Sequence, residues 1–205
     1  MYIPNHYELT DFVEIRDFIE KHSFGTLVTT DEGKPLATHL PLELDKRGDD
    51  YYLTGHLAYR NPQWQTLGDN PVLVMFQGPH AYISSSWYQT EDVPTWNYQA
   101  VHVYGRALIM DEQELQDDLS RLLQKYENHR KDPVLWEELS LQAKKQIKGI
   151  VGFKVKVEDV QAAYKLSQNR PVEDYENIME QLSQADDFNS QQLAKAMKAN
   201  REKDV

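Results

Sequence analysis

Cysteine is absent from the 205 residues. The chain therefore has no disulfide framework, no thiolate metal ligand and no cysteine nucleophile. Long apolar runs are missing too. Nothing approaches the roughly 20 residues that a membrane-spanning helix needs, so no membrane partner is expected. The opening MYIPNHYELTDF lacks a basic region followed by an apolar stretch, and no secretory signal is read there. A cytoplasmic location is the expectation from these absences. Positive charge is scarce: 22 Lys and Arg stand against 33 Asp and Glu, a formal net charge of −11, which repels a phosphate backbone at long range. The common nucleotide and hydrolase loops, G-x-G-x-x-G, G-x-x-x-x-G-K-[ST] and G-x-S-x-G, do not occur. Neither does H-E-x-x-H; the seven histidines are scattered, and no metal site is expected. No catalytic nucleophile stands out.

What is present alternates between two periodicities. TDFVEIRDFIEKH reads as an amphipathic helix, with Asp11 and Glu14 at capping-box spacing and Phe12, Ile15 and Ile19 on one face. The period then drops to two. FGTLVTT (24–30), LATHLPLEL (36–44) and YYLTGH (51–56) are expected strands joined by the turns DEGKP and DKRGDD. In LAYRNPQWQTLGDNP, Asn61 is placed to cap a helical turn opened by Pro62. VLVMFQG (72–78) suits a strand buried on both faces. HAYISSSWY (80–88) and TWNYQAVHVYGRALIM (95–110) complete six strands, enough for a small closed barrel. A helix is expected over 111–127, again opened by a capping box (Asp111, Glu114), then a short helix at LQAKKQIK and a return strand over 149–160. Two helical segments near 173–184 and 190–202 are either a docked appendage or a partly ordered tail. The expected division is a barrel domain over 1–170 and an appendage over 171–205.

Three features could carry a function. Lys144, Lys145, Lys148, Lys154 and Lys156 form the one basic stretch large enough to be a nucleic-acid or anion patch, although lysines also simply solvate the open face of a helix or strand. Arg60 stands where a strand gives way to the Asn61–Pro62 turn, and a guanidinium beside exposed N–H groups suits a phosphate; pairing with a surface carboxylate is the plain alternative. Finally, residues 84–105 gather Trp87, Tyr88, Trp96, Tyr98 and Tyr104. Such flat surface serves a core, a partner or a planar ligand.

The segments MYIPNHY (1–7), GHLAYRNPQW (55–64), FQGPHAYISSSWY (76–88), VPTWNYQAVHVYG (93–105), IVGFKVKV (150–157) and KLSQNR (165–170) resemble the PaiB family, regulators of protease synthesis and sporulation within the FMN-binding split-barrel superfamily. The resemblance implies a mainly β fold with flanking helices: a six-stranded antiparallel Greek-key split barrel, paired as a homodimer with FMN at the subunit interface. By residue match it implies that Thr38, His39 and Leu40 flank the flavin ring, that Thr54 and Gly55 meet the ribityl chain, and that Arg60 and Asn61 meet the phosphate. Trp96, Asn97 and His102 approach from a later strand. Flavin oxidases of the superfamily carry a basic residue where this chain has Thr38, and two at the phosphate where Tyr59–Arg60 supplies one. The function implied is a negative transcriptional regulator reaching DNA directly or indirectly. An FMN-dependent oxidoreductase, with His39, His56 and His102 near the ring, and a haem-binding or haem-degrading protein are the alternatives.

Overall fold

The computed structural model describes residues 1–68 and 70–202. In chain order it contains β1 (Glu8–Leu9), α1 (Phe12–Lys21), β2 (Phe24–Asp31), β3 (Lys34–Pro41), β4 (Glu43–Arg47), β5 (Asp50–Ala58), β6 (Pro71–Ile83), β7 (Thr95–Ile109), α2 (Glu112–Glu127), α3 (Leu141–Lys144), β8 (Ile150–Lys165), α4 (Val172–Ser183) and α5 (Phe188–Arg201). The caps form as the sequence predicts. Asp11 Oδ1 accepts from the Val13 and Glu14 N–H groups. Asp111 and Glu114 make both arms of a capping box on α2. None of the described helices is long and apolar enough to cross a membrane.

The strands form one sheet in the order β3-β2-β6-β7-β8-β5-β4, with β1 added against β8. The two ends of that order, β3 and β4, are consecutive in the chain and separated only by Leu42, which is fully buried. Consecutive strands at opposite ends of one order require the sheet to curl back toward its own start, as a split barrel does. The fold class is as expected, but the described residues form eight strands rather than six. The predicted strand 36–44 is two strands bent at Pro41–Leu42. The predicted strands at 72–78 and 80–88 are one strand, β6, whose burial shifts phase at Gly78–Pro79: Val72, Val74 and Phe76 are buried before it, Ala81 and Ile83 after it. A one-residue shift of this kind is what a bulge produces. VLVMFQG is also not buried on both faces, because Leu73 and Met75 are only half-covered and Gln77 is exposed. Its antiparallel neighbour and alternating burial are those of a one-sided sheet.

The chain forms two compact units. The first comprises Met1–Phe18, Phe76–His102 and the chain from Gln161 onward; the second comprises Ile19–Met75 and Val103–Val160. In the first, Ile15, Phe18, Phe76, Ile83, Val101 and Leu166 are buried. The C-terminal helices belong to this core: Ile178, Leu182, Leu193 and Met197 are almost wholly covered, each burial contributing about 1.5–3 kcal/mol. Tyr175 Oη donates to Met197 O at 2.7 Å, and Asn177 Nδ2 donates to Trp87 O at 2.7 Å. The last three residues of the appendage expected over 171–205 lie outside the described residues. In the second unit the core is Leu27, Leu42, Leu53, Leu57, Val74, Phe153 and Val155.

Candidate functional site

The second unit holds most of the residues that the resemblance singles out. β3 ends the strand order, with β2 its one ladder partner among the described residues and its C-terminal end passing close to β5. Thr38 is half-buried on β3, His39 is exposed and stacked on Phe24 at a ring separation of 6.4 Å, and the Leu40 side chain turns into the core. In register with this segment, Thr38 faces Leu27 and His39 faces Thr26. Thr54 and Gly55 lie on β5. Thr54 is buried with its hydroxyl 3.5 Å from Glu43 O. A Cβ on Gly55 would stand 3.0 Å from the Leu42 side chain and 3.2 Å from Pro41 O, so only glycine lets the chain around Pro41 pass so close.

The turn after β5 is fixed from three sides. Asn61 caps a five-residue 3-10 turn, Pro62–Thr66, its side chain accepting from Gln63 N at 3.0 Å. The cap therefore consumes one of the N–H groups that the phosphate reading relied on. Asn61 Nδ2 donates to Thr38 Oγ1 at 3.0 Å, and Thr38 Oγ1 donates to Gln63 Oε1 at 2.5 Å. Gln63, only 2% exposed, then donates through Nε2 to Leu27 O at 3.2 Å and Leu36 O at 3.3 Å. Tyr59 stacks on Trp64 at 5.7 Å, and Tyr59 N donates to Gly149 O at 2.8 Å. Arg60 is exposed at the tip and forms no ion pair among the described residues. The sequence reading identified Thr38, Arg60 and Asn61, which the fold brings to one place, but missed Gln63, the hub that binds them.

The lysine stretch divides. Lys154 pairs with Glu114, and Lys156 with Asp50 at 2.7 Å. Lys144 donates to Glu137 O at 3.0 Å. Lys145 and Lys148 remain exposed on the turn that supplies the Gly149 carbonyl to Tyr59. His56, also in this unit, is held below its usual range by burial, which outweighs the opposing Asp118 carboxylate.

The first unit holds the remaining predicted residues. Trp96 is 49% exposed; its indole N–H donates to His80 Nδ1 at 3.2 Å, and Tyr82, 50% exposed, meets it edge-on at 6.3 Å. With Nδ1 accepting, the neutral imidazole carries its proton on Nε2 and presents a donor. His80 and Tyr82 were not anticipated, although period-two spacing places them on one face, as it does Trp96 and Tyr98. Asn97 is fully buried, its amide exchanging hydrogen bonds with Ser167 Oγ at 2.8 and 3.2 Å. His102 is half-buried, and burial holds it below its usual range, with the N-terminal charge adding to the effect. Among the described residues no cluster of ligands suits a metal ion.

The donor set of the second unit suits a flavin nucleotide: a strand at the end of the sheet order for the polar rim of a ring, a tethered turn beside it, and a guanidinium that forms no ion pair among the described residues. Comparison with known proteins agrees. The family described as "Putative FMN-binding domain" matches residues 1–159. Protease synthase and sporulation protein PAI 2 of Bacillus subtilis is 56% identical over 207 residues, covering 100% of both chains. An uncharacterised protein of Aspergillus fumigatus is 27% identical over 88% of this chain and 90% of its own. Among solved structures, the flavocytochrome Anf3 of Azotobacter vinelandii superposes with a TM-score of 0.63 at 16% identity, covering 85% of this chain and 78% of that one. The FAD and haem binding protein of Mycobacterium smegmatis gives 0.60 at 14%, covering 78% and 73%. At these identities the two structures show a shared fold. With the family match spanning both the turn and the strand edge, the chain belongs to the FMN-binding domain family that includes the Bacillus subtilis protein.

Proposed function

We propose that this chain is an FMN-binding split-barrel regulator of the PaiB type, acting as a homodimer in the cytoplasm. The observation that carries the reading is the Thr38–Asn61–Gln63 network, which ties the Arg60 turn to β3 through the Thr38 side chain. In this reading the β3 backbone at Thr38, His39 and Leu40 runs beside the ring, Thr54 and Gly55 border the ribityl chain, and Arg60 with Asn61 holds the phosphate. Trp96 belongs to the face that a second subunit covers, and half-buried His102 lies further along the same strand; Asn97 points to the opposite face, where it is buried against Ser167, and so leaves the set of residues that could meet the cofactor. Exposed Trp96 and Tyr82 support that pairing, since such side chains anchor interfaces. FMN, when bound, supplies reversible electron transfer; the protein supplies position and charge. The name of the Bacillus subtilis relative supports protease synthesis and sporulation as the biological context.

The first test is the absorbance spectrum of freshly purified protein, followed by FMN titration. Arg60→Gln is expected to weaken FMN by about tenfold or more, because a charge-assisted phosphate contact contributes on the order of 1.5–3 kcal/mol. A colourless protein that ignores added FMN ends the cofactor assignment. For DNA, the engaged state of Lys154 and Lys156 leaves Lys145 and Lys148 as the free footprint. Duplex binding is therefore expected only at low salt and lost in a Lys145→Glu/Lys148→Glu variant, with regulation otherwise indirect. Tight binding that survives both changes would place the DNA surface elsewhere. A second reading, an FMN-dependent oxidoreductase, is favoured by exposed His39 beside Thr38 on the ring-side strand. It requires that NADH or NADPH reduce the bound flavin.

A further inference from the structure

Four stretches within the segments that carry the family resemblance, MYIPNHY, SSSWY, TWNY and KLSQNR, lie inside the first unit, and the flavin reading of the sequence draws only Trp96 and Asn97 from them. Tyr7 Oη donates to Asn169 Oδ1 at 3.1 Å. Lys165 Nζ donates to Thr95 Oγ1. The Arg170 guanidinium lies over the Tyr88 ring at 4.2 Å and pairs with Asp92. Residues 165–170 form a tight reversal that aims these groups together: Ser167 sits at φ 63°, Arg170 N donates to Ser167 O at 3.0 Å, and the Gln168 side chain ties Leu166 N to Tyr164 O.

Two observations say that this cluster is built to receive something. Tyr88 is 9% exposed, and its hydroxyl has no hydrogen-bond partner among the described residues. The guanidinium covers the ring face and acts on the phenol through its charge and proximity, but it closes no hydrogen bond of ordinary geometry to the hydroxyl. A buried orphan of this kind is expensive to keep unless a partner arrives. The second observation concerns charge. Arg170 is only 19% exposed and cannot stay without an anion. Its partner, Asp92, is 41% exposed and sits on the polar loop between β6 and β7. The other nearby carboxylate, Asp174, is buried and occupied by the Gln89 N–H at 2.8 Å. Lys165 adds a second cation, and burial together with Arg170 holds its ammonium below the usual range. The exchangeable counter-charge is therefore Asp92.

We propose that Arg170, Tyr88 and Lys165 form a binding site for the carboxylate of a small organic acid, with the Asp92 carboxylate as the resident stand-in that the ligand displaces. A carboxylate fits better than a phosphate for two reasons. The group already seated on the guanidinium is a carboxylate, the planar partner that its fork matches. Asp174, close by, opposes a dianion. On displacement Asp92 swings into solvent with its loop, so ligand binding is read out as movement of residues 90–94, beyond the anchor of Gln89 on Asp174. The site uses residues of one unit only and does not depend on whether FMN binds.

The test is titration of the full chain with sodium acetate, and separately with inorganic phosphate, each at constant ionic strength made up with chloride. Trp87 fluorescence and the Arg170 side-chain NMR signal report occupancy. Saturable binding of acetate is expected, tightened about tenfold in Asp92→Asn, where the internal competitor is gone. Tyr88→Phe is expected to weaken acetate by about tenfold while keeping or raising the melting temperature, because the removed hydroxyl closes no hydrogen bond of ordinary geometry among the described residues. That variant separates a ligand role from a structural one, since a structural hydroxyl would cost stability on removal. Arg170→Gln should abolish binding. Asp92→Asn binding no tighter than wild type, Tyr88→Phe binding equally well, or phosphate binding with acetate ignored would each overturn the proposal.

Discussion

Gly105→Ala is expected to lower stability by about 3 kcal/mol or more, a fall in melting temperature of about 6–12 °C for a chain of this size. The reason is contact between backbones. A Cβ at Gly105 would lie 1.9 Å from Lys156 O and 3.0 Å from both the Lys156 carbonyl carbon and Val155 Cγ1. A flexible side chain could rotate away from such a clash, but a carbonyl fixed in a strand cannot. β7 and β8 must separate locally, and the sheet loses ladder hydrogen bonds and buried contacts around Val103, Ala107 and Val155, all fully buried. Gly149→Ala is the control. A Cβ there meets nothing within 4 Å, so the same chemical change should shift the melting temperature little. Equal thermal unfolding of the two variants would show that β7 and β8 do not approach as closely as the structure has them.

Gly105 stands in VHVYG, one of the segments that marks the family, and nothing in the sequence says why a glycine belongs there. Its cause is the carbonyl of Lys156, some fifty residues away in the chain. The same division runs through the whole molecule. Features set by near neighbours were legible: the Asp11 and Asp111 caps, the Glu32–Gly33 and Gly48 turns with their positive φ, and Asn61 capping the Pro62 turn. So was the apolar face of α1, on which Ile15 and Ile19 are buried. Features set by distant partners were not. Gly78–Pro79 looks like a break because those residues usually end a strand; here the chain passes through them with a change of phase. β4 was absorbed into its predecessor because the bend at Pro41–Leu42 is enforced by packing of Leu42 and by its N–H bonding to Ser23 O at 2.8 Å. The lysines between 144 and 156 formed one patch on paper. On the fold, Glu114 and Asp50 reach in from α2 and β5 and take two of them.

Gln63→Leu is expected to cost about 2–5 kcal/mol, since buried partners left without a hydrogen bond cost about 1–3 kcal/mol each. Leucine fills a similar volume, so the loss comes from polarity. The Leu27 and Leu36 carbonyls lose the Nε2 donor and Thr38 loses its acceptor, in a place where water has almost no access. Gln63→Glu gives a sharper result. A carboxylate at this position can still accept from Thr38 but faces two carbonyl oxygens that need a donor. Its protonated form restores that donor, so the folded state raises the pKa of the new carboxyl. The sign of the pH dependence follows. The folded chain binds the proton more tightly than the unfolded one, so the Gln63→Glu variant is least stable near neutrality and recovers toward wild type as the pH falls through the raised value. Gln63→Leu cannot recover in this way. Loosening the hub also frees the Asn61 turn from Thr38, and FMN affinity is expected to fall with stability although Gln63 is buried beneath the proposed phosphate contact. Melting curves for both variants at pH 7.5 and pH 5, with FMN titration of whichever stays folded, decide the matter. A Gln63→Leu protein as stable as wild type would mean that the turn is held by Tyr59 and Gly149 alone.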